Sequence, residues 1–511
     1  MSDPSTATLD TPPPESARAG TRRMLRHSSI YAFGSIIKNI VSFIMLPLYT
    51  RYLSPADYGV ISLMVLMLSL FELLFGARLG YALPKMFAES RSEQDKKTLI
   101  STALLFMIAV GALSSMAVFF TRSTLSSLIF GSTGYTVIVA YFSFMVLTQS
   151  VETHGLDYIR LQQRPWLFLG ANVLKLVMQL SLNIWFIVGL HKGVVGVAAS
   201  TMASSATMAV LLLIYTVAKS GIRYDHQAAL RMLAFSWPMW LAGLAGLYIG
   251  SSNRYYMRIF SGIDSIGLYS LAERFSGIMT MLIWQPFAQY WMVESFKYHQ
   301  QGNRTAFSVV FSIIVAILFS AALGISLFAT PVIHVMSSKP FYPATQAVPF
   351  LVMSAIFSCM SGFAAFSFLV AEKTKRLGAY SYLTAVLVTV LYVALIPVLG
   401  HVGAAMASAM AQAIQLTITY RQGRRLYDMQ LSMGFFFYIA AVAVVAYLVA
   451  TFITADLGFF LDVTVRAIVW TGATFLILHK LLRQKSIREH AVEVAPGPLR
   501  PLLRYLVAER I

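Results

Sequence analysis

The sequence predicts an all-α polytopic membrane protein of about fourteen transmembrane helices, built as two six-helix lobes related by a parallel repeat and followed by two extra C-terminal helices. Three observations predict it. Of 511 residues, 58% are hydrophobic and 12% charged, against about 25% charged in an ordinary soluble domain. The basic residues fall on alternate loops, and the chain repeats itself at an offset of 207 residues. A net charge of +18 would point to nucleic acid in a soluble protein, but on alternate loops it reports topology, and no nucleic-acid partner is expected.

Residues 1–24 are rich in Pro, Ser, Thr and Ala with almost no large apolar side chain, which predicts a disordered cytoplasmic tail. The apolar stretch that follows is too long for a signal peptide and lacks a small-residue cleavage site, so it reads as a retained span. Crossing the hydrocarbon takes about 20 helical residues. On that ruler the spans are 28–50, 57–83, 98–121, 129–151, 165–190, 193–218, 230–252, 264–286, 305–328, 344–370, 376–399, 401–421, 433–454 and 459–481.

With these spans, 28 of the 39 bases lie in loops on the side of the N-terminus, 5 lie on the other side, and 6 lie within or at the edges of spans. The positive-inside rule then places both termini in the cytoplasm. At the offset of 207, Arg51, Ser54 and Asp57 map onto Arg258, Ser261 and Asp264, and Gly193 and Gly196 onto Gly400 and Gly403; with one inserted residue Gly59 maps onto Gly267. Six spans per repeat is an even number, so the repeats run parallel, and transporters of that plan bind substrate between lobes near the midplane. The expected organisation is an N-lobe at 25–220 (spans 1–6), a C-lobe at 221–425 (spans 7–12), spans 13–14 at 426–482 and a cytoplasmic tail at 483–511.

Charge inside a bilayer costs about 2.5–3.5 kcal/mol per residue on insertion scales, so intramembrane charges usually face protein or water. Lys38, Lys175 and Arg274 lie about ten residues into their spans, roughly 15 Å deep at 1.5 Å per residue. Arg78 lies toward the cytoplasmic end of span 2 with Glu72 deeper, and Glu273 adjoins Arg274. An ion pair of Arg274 with Glu72 or Glu273 is the structural alternative to cavity lining. Arg254 and Arg466 fall at outer span edges, where an interfacial role competes with one in a cavity. On span 5, Asn172, Lys175, Gln179 and Asn183 recur at spacings of 3, 4 and 4 and share one helical face. Span 12 offers Gln412 and Gln415. For such amides, hydrogen bonding between helices is the alternative to cavity lining.

The deep bases Lys38, Arg78, Lys175 and Arg274 outnumber the deep carboxylates Glu72 and Glu273 by two, a surplus that an anionic ligand matches. Phosphate and pyrophosphate are natural partners of Arg and Lys. Tyr31, Trp185, Trp237, Trp240, Tyr248 and Trp284 are candidates to stack on sugars, although interfacial belts and packing account for most such aromatics. The single cysteine, Cys359, gives no disulfide pair or thiolate cluster. No HExxH, GxSxG or Walker A pattern is present. No enzyme activity, cofactor or metal is expected.

Tyr31-Ala-Phe-Gly34, then Phe43-Ile-Met-Leu-Pro47-Leu-Tyr-Thr-Arg51 and Ser54-Pro-Ala-Asp57-Tyr-Gly59, together with Asn253-Arg254-Tyr255 and Gly267-Leu-Tyr269-Ser-Leu-Ala-Glu-Arg274, resemble the polysaccharide transporter (lipid-linked oligosaccharide flippase) family of the MOP exporter superfamily. Asn253 stands where that family usually has Asp. The resemblance implies a flippase that moves an undecaprenyl-pyrophosphate-linked repeat unit from the cytoplasmic to the periplasmic leaflet of a bacterial inner membrane, for exopolysaccharide, capsule or O-antigen. The reading of the intramembrane charges agrees with alternating access around a cationic cavity, with Lys38, Arg78, Lys175, Arg274 and Arg254 expected on the substrate and Glu72 and Glu273 as candidate ion carriers. Implied partners are the lipid-linked oligosaccharide, membrane lipid, and a polysaccharide polymerase and co-polymerase. A lipid II flippase or multidrug exporter of the same superfamily, or a membrane glycan polymerase or ligase, are the alternatives.

Overall fold

A computed structural model describes residues 43, 45–75, 79, 82–90, 92–454, 457–484 and 487. The tail at 1–24, most of span 1 with Tyr31 and Lys38, Arg78, and nearly all of 483–511 lie outside the described residues. In chain order the helices are α1 (Leu46–Tyr52), α2 (Pro55–Phe75), α3 (Ala82–Glu89), α4 (Glu93–Phe120), α5 (Arg122–Phe130), α6 (Thr136–Leu161), α7 (Pro165–Ile184), α8 (Gly193–Ser220), α9 (His226–Phe260), α10 (Ile263–Met279), α11 (Gln285–Gln300), α12 (Arg304–Met336), α13 (Val348–Ala364), α14 (Phe366–Val370), α15 (Thr374–Leu426), α16 (Met433–Ile453) and α17 (Phe459–Leu482). No strand occurs among the described residues.

Local chemistry sets several of these ends. The Ser92 hydroxyl accepts from the Asp95 amide at 3.0 Å to start α4, and Asn303 does the same from Ala306 at 3.0 Å for α12. Pro165 opens α7, where its missing N–H costs nothing. One π-helical turn, Trp185–Gly189, extends α7 and another, Thr280–Trp284, joins α10 to α11. Inside α15 the backbone breaks at Gly400, at φ 56° and ψ −130°, a conformation open to glycine because it has no Cβ. The break falls between the expected spans 376–399 and 401–421.

Among the described residues nine helices are long and apolar enough to cross a membrane, α15 counted once. The expected fourteen is not reached by that measure. Span 1 lies mostly outside the description, the apolar part of α2 is shorter (Pro55–Phe71), and spans 7 and 8 fall on α9 and α10, which carry Arg254, Arg258, Asp264, Glu273 and Arg274.

The chain divides into two compact units. One holds 71–123 and 136–240, the other 45–70, 124–135 and 241 onward. In the first unit α4, α6 and α8 pack through a small cluster of Leu104, Val151 and Ala209, and α6, α7 and α8 through Ile159, Phe168, Met208 and Leu212. Buried Gly196, Ala198, Ala199, Ser200, Ser204 and Ser205 line α8; small residues let helices approach where lipid supplies no hydrophobic drive.

In the second unit Leu323 and Leu327 of α12 pack with Ala446 and Ala450 of α16 and Ala473 of α17. Arg466 lies within this packing. It pairs with Asp462 one turn back, and donates to the Leu327 carbonyl at 2.9 Å and the Thr454 hydroxyl at 2.8 Å. Burial, at 6% exposure, replaces the interfacial position expected from its place near a span end. Three partners satisfy its guanidinium, the condition for keeping a charge out of water.

The second unit also brings the repeated motifs together. A Cβ on Gly59 would overlap the main chain at Ile263, and a Cβ on Gly267 would overlap the carbonyl of Pro55. These are reciprocal contacts, because each glycine meets the main chain of the residue four positions before the other glycine. The α2 and α10 helices touch backbone to backbone only with glycine at both positions. Gly267→Val should therefore lower the thermal unfolding midpoint of the purified protein, with an overpacking cost of about 1–3 kcal/mol. Gly277→Val on the same helix, with nothing within 4 Å of the new Cβ, should leave the midpoint near wild type.

Candidate functional site

Polar groups inside the helices gather in two places, one in each unit. In the first unit the face of α7 carrying Asn172, Lys175, Gln179 and Asn183 is opposite its exposed apolar face of Leu167, Leu174, Val177 and Ile184. Lys175 Nζ donates to both oxygens of Glu152 on α6, at 2.6 and 2.8 Å. The Ser205 hydroxyl of α8 donates to the same carboxylate at 3.1 Å, and Thr148 donates to Ser205 at 3.2 Å. Gln179 reaches Thr201 at 3.4 Å, Asn183 accepts from Ser200, and Asn172 donates to its own helix at the Phe168 carbonyl at 2.8 Å.

Glu152 is absent from the charge balance read from sequence. The fourth span ends there at 151, whereas α6 continues to Leu161 and carries the carboxylate into the bundle. Hydropathy falls at Thr148-Gln-Ser-Val-Glu152-Thr-His154. The missed signal is that Glu152 and Lys175 are opposite charges on consecutive antiparallel spans.

In the second unit a cavity of about 190 Å³ opens among α9, α10, α13 and α15, with Asn253, Glu273, Ser276, Ser358, Thr384 and Gln412 in its wall. Gln415, one turn on from Gln412, is not among its lining residues. Arg254 closes on Glu273 at 2.6 Å and donates to the Ser62 hydroxyl at 2.7 Å. Ser270 also donates to Ser62, at 2.7 Å. Glu273 thus pairs with Arg254, from the preceding helix, while its neighbour Arg274 lies 5.3 Å from the centre of the Tyr58 ring. Within the second unit Arg254 and Glu273 are brought together, whereas Arg274 lies against Tyr58.

Of the aromatic candidates, Tyr248 bonds Thr389 at 2.6 Å, Trp284 packs on Phe287 at 5.5 Å, and Trp185 is exposed beside Phe186. Glu72, Trp237 and Trp240 lie on helices, but their side chains are outside the description, as are Lys38 and Arg78 altogether. No three His, Cys, Asp or Glu side chains converge among the described residues.

A family model described as polysaccharide biosynthesis protein matches residues 24–291, just over half of the chain. The chain belongs to this family. Among solved structures, this family member is similar to the lipid II flippase MurJ in an inward closed conformation, with a TM-score of 0.69 and 14% identity over 89% of this chain and 99% of that one. It is also similar to an inward-facing multidrug resistance MATE transporter of the MOP superfamily, at TM-score 0.61 and 15% identity over 77% and 95% of the two chains. A third is a MOP superfamily transporter from Pyrococcus furiosus, at 0.51 and 14% over 80% and 96%. No curated protein sequence matches. The fold is therefore that of MOP superfamily transporters, as the residue resemblance implied, and this polysaccharide biosynthesis family member is a multi-pass membrane protein.

Removing one member of a buried ion pair strands the other, a cost of about 3–5 kcal/mol in soluble proteins, whereas replacing both is often neutral. Lys175→Met should lower the unfolding midpoint of the purified protein more than Lys175→Met combined with Glu152→Gln. Equal losses in the single and double variants would mean that the pair is not energetically coupled.

Proposed function

We propose that the protein is a flippase that carries an undecaprenyl-pyrophosphate-linked oligosaccharide repeat unit from the cytoplasmic to the periplasmic leaflet of a bacterial inner membrane, supplying exopolysaccharide, capsule or O-antigen synthesis. The observation that carries the reading is membership of a polysaccharide biosynthesis family by a chain built almost wholly of apolar helices. A protein of that build serves glycan assembly by moving material across the membrane. The fold shared with a protein named lipid II flippase MurJ supports the same reading, and the excess of bases on the N-terminal side of the spans supports cytoplasmic termini.

The mechanism is binding and rearrangement rather than bond chemistry. The candidate contacts for the diphosphate oxygens are Lys175 in the first unit, Arg254 and Arg274 in the second, and Lys38 and Arg78, which lie outside the described residues. Gln412 in the cavity wall and the part-exposed Gln179 are the polar residues that meet sugar hydroxyls, whereas Asn183 is buried against Ser200, and the polyprenyl tail stays in lipid. Alternating access then exposes the head group on the far side. An inside-negative potential favours outward movement of an anion by about 2.3 kcal/mol per charge per 100 mV. Glu72 and Glu273 are candidate carriers of a coupling ion. Both termini face the cytoplasm, and a polymerase and co-polymerase act on the flipped unit.

Deleting the gene should trap lipid-linked repeat units in the cytoplasmic leaflet, out of reach of a periplasmic enzyme or impermeant label. Lys38→Ala and Lys175→Ala proteins, expressed at wild-type levels, should fail to restore access. Single unpolymerised units accessible from the periplasm in the deletion strain would instead assign the chain to a polymerisation or ligation step.

A further inference from the structure

We propose that Glu152 and Lys175 form a proton-coupled anion site: a phosphate group draws Lys175 away from Glu152, and Glu152 takes one proton from water in exchange. This rests on the reading of the chain as a carrier of a pyrophosphate-linked lipid, and names the event that links substrate binding to a proton.

The two partners differ in access. The Glu152 side chain is 7% exposed and that of Lys175 27%, so the lysine is the more accessible member of the pair. The lysine is a point charge on a flexible four-carbon stem, and two of its donor contacts go to one carboxylate. A diphosphate competes for the ammonium directly. Once Lys175 turns, Glu152 keeps, among the described residues, the Ser205 hydroxyl alone, and an uncompensated carboxylate in an apolar bundle is costly enough to be neutralised instead. An O–H bond forms on Glu152 with a proton from water, and that proton returns to water when the phosphate leaves and Lys175 swings back.

Among the described residues little else nearby can substitute. Helix α4 carries no acidic or basic side chain between 98 and 120, and the facing part of α8 carries none between 193 and 218, apart from Tyr215 near its end. Tyr215 donates to Gln162 at 2.6 Å. On α7, Lys175 is the only charge, and on α6 itself Asp157 pairs with Arg160 at 3.0 Å, Tyr158 packs with Tyr215, and His154 meets the main chain of α4 at Ile100. The pair is not a requirement of the six-helix plan, because the repeat equivalents of Glu152 and Lys175 are Cys359 and Tyr382.

The test uses purified full-length protein with inorganic pyrophosphate, read by infrared difference spectroscopy and by binding as a function of pH. Pyrophosphate should raise a protonated-carboxyl band that is absent from Glu152→Gln and retained, shifted, in Glu152→Asp. Glu152→Gln should bind pyrophosphate about tenfold more tightly, equivalent to about 1.4 kcal/mol, with less dependence on pH. Lys175→Gln should bind it more weakly and show no band. A wild-type protein without the band, a band that persists in Glu152→Gln, or weaker binding by that variant overturns the proposal. If deletion of the gene still traps repeat units in the cytoplasmic leaflet, the flippase reading survives that failure; if the units reach the periplasm, both fall.

Discussion

Hydrocarbon has no water with which to solvate a charge, so every ionised group within these helices must be answered by the protein itself. The structure meets that demand in three ways. Arg466 is sealed among Asp462, Thr454 and the Leu327 carbonyl, a closed set that fixes α17 against α12. Arg254 pairs with Glu273 at the wall of a polar cavity. Lys175 pairs with a deeply buried Glu152 and is the more exposed of the two. The first arrangement leaves nothing for a ligand; the other two leave a charged partner within reach of one.

The internal repeat separates what the scaffold needs from what the function needs. Gly59 and Gly267 obey the repeat and make reciprocal backbone contacts, which is what two copies of one motif do when they pack about a common axis. The ion pairs do not obey it. Glu152 and Lys175 have Cys359 and Tyr382 as their counterparts, and the Arg254–Glu273 pair lies where the first repeat carries no charge at either equivalent position. The glycine contacts thus follow the sequence repeat and the ion pairs do not.

Much of the architecture was legible because hydropathy and loop charge are properties of single segments. The Gly400 break and the polar face of α7 followed from residue type and spacing alone. What stayed hidden depended on which segments meet. Arg466 read as interfacial because its distance from a span end was visible, whereas the three groups that enclose it come from three separate stretches. Glu273 had an adjacent arginine, but the one it pairs with is Arg254, 19 positions earlier. Glu152 was lost by a single residue at a span boundary, and with it the fact that Lys175 is neutralised at rest. Charge balance in a membrane protein is therefore sensitive to span ends in a way that fold class is not.

The central claim is that this scaffold moves an anionic lipid head group across the bilayer. Its most direct test is purified full-length protein in proteoliposomes, containing a fluorescent pyrophosphate-linked oligosaccharide lipid and an imposed potassium diffusion potential. Exposure of the label to an impermeant quencher should be far faster than in protein-free vesicles, and at equilibrium the labelled lipid should shift toward the electrically positive side. A rate no faster than in protein-free vesicles, or a distribution insensitive to the sign of the potential, would contradict the account.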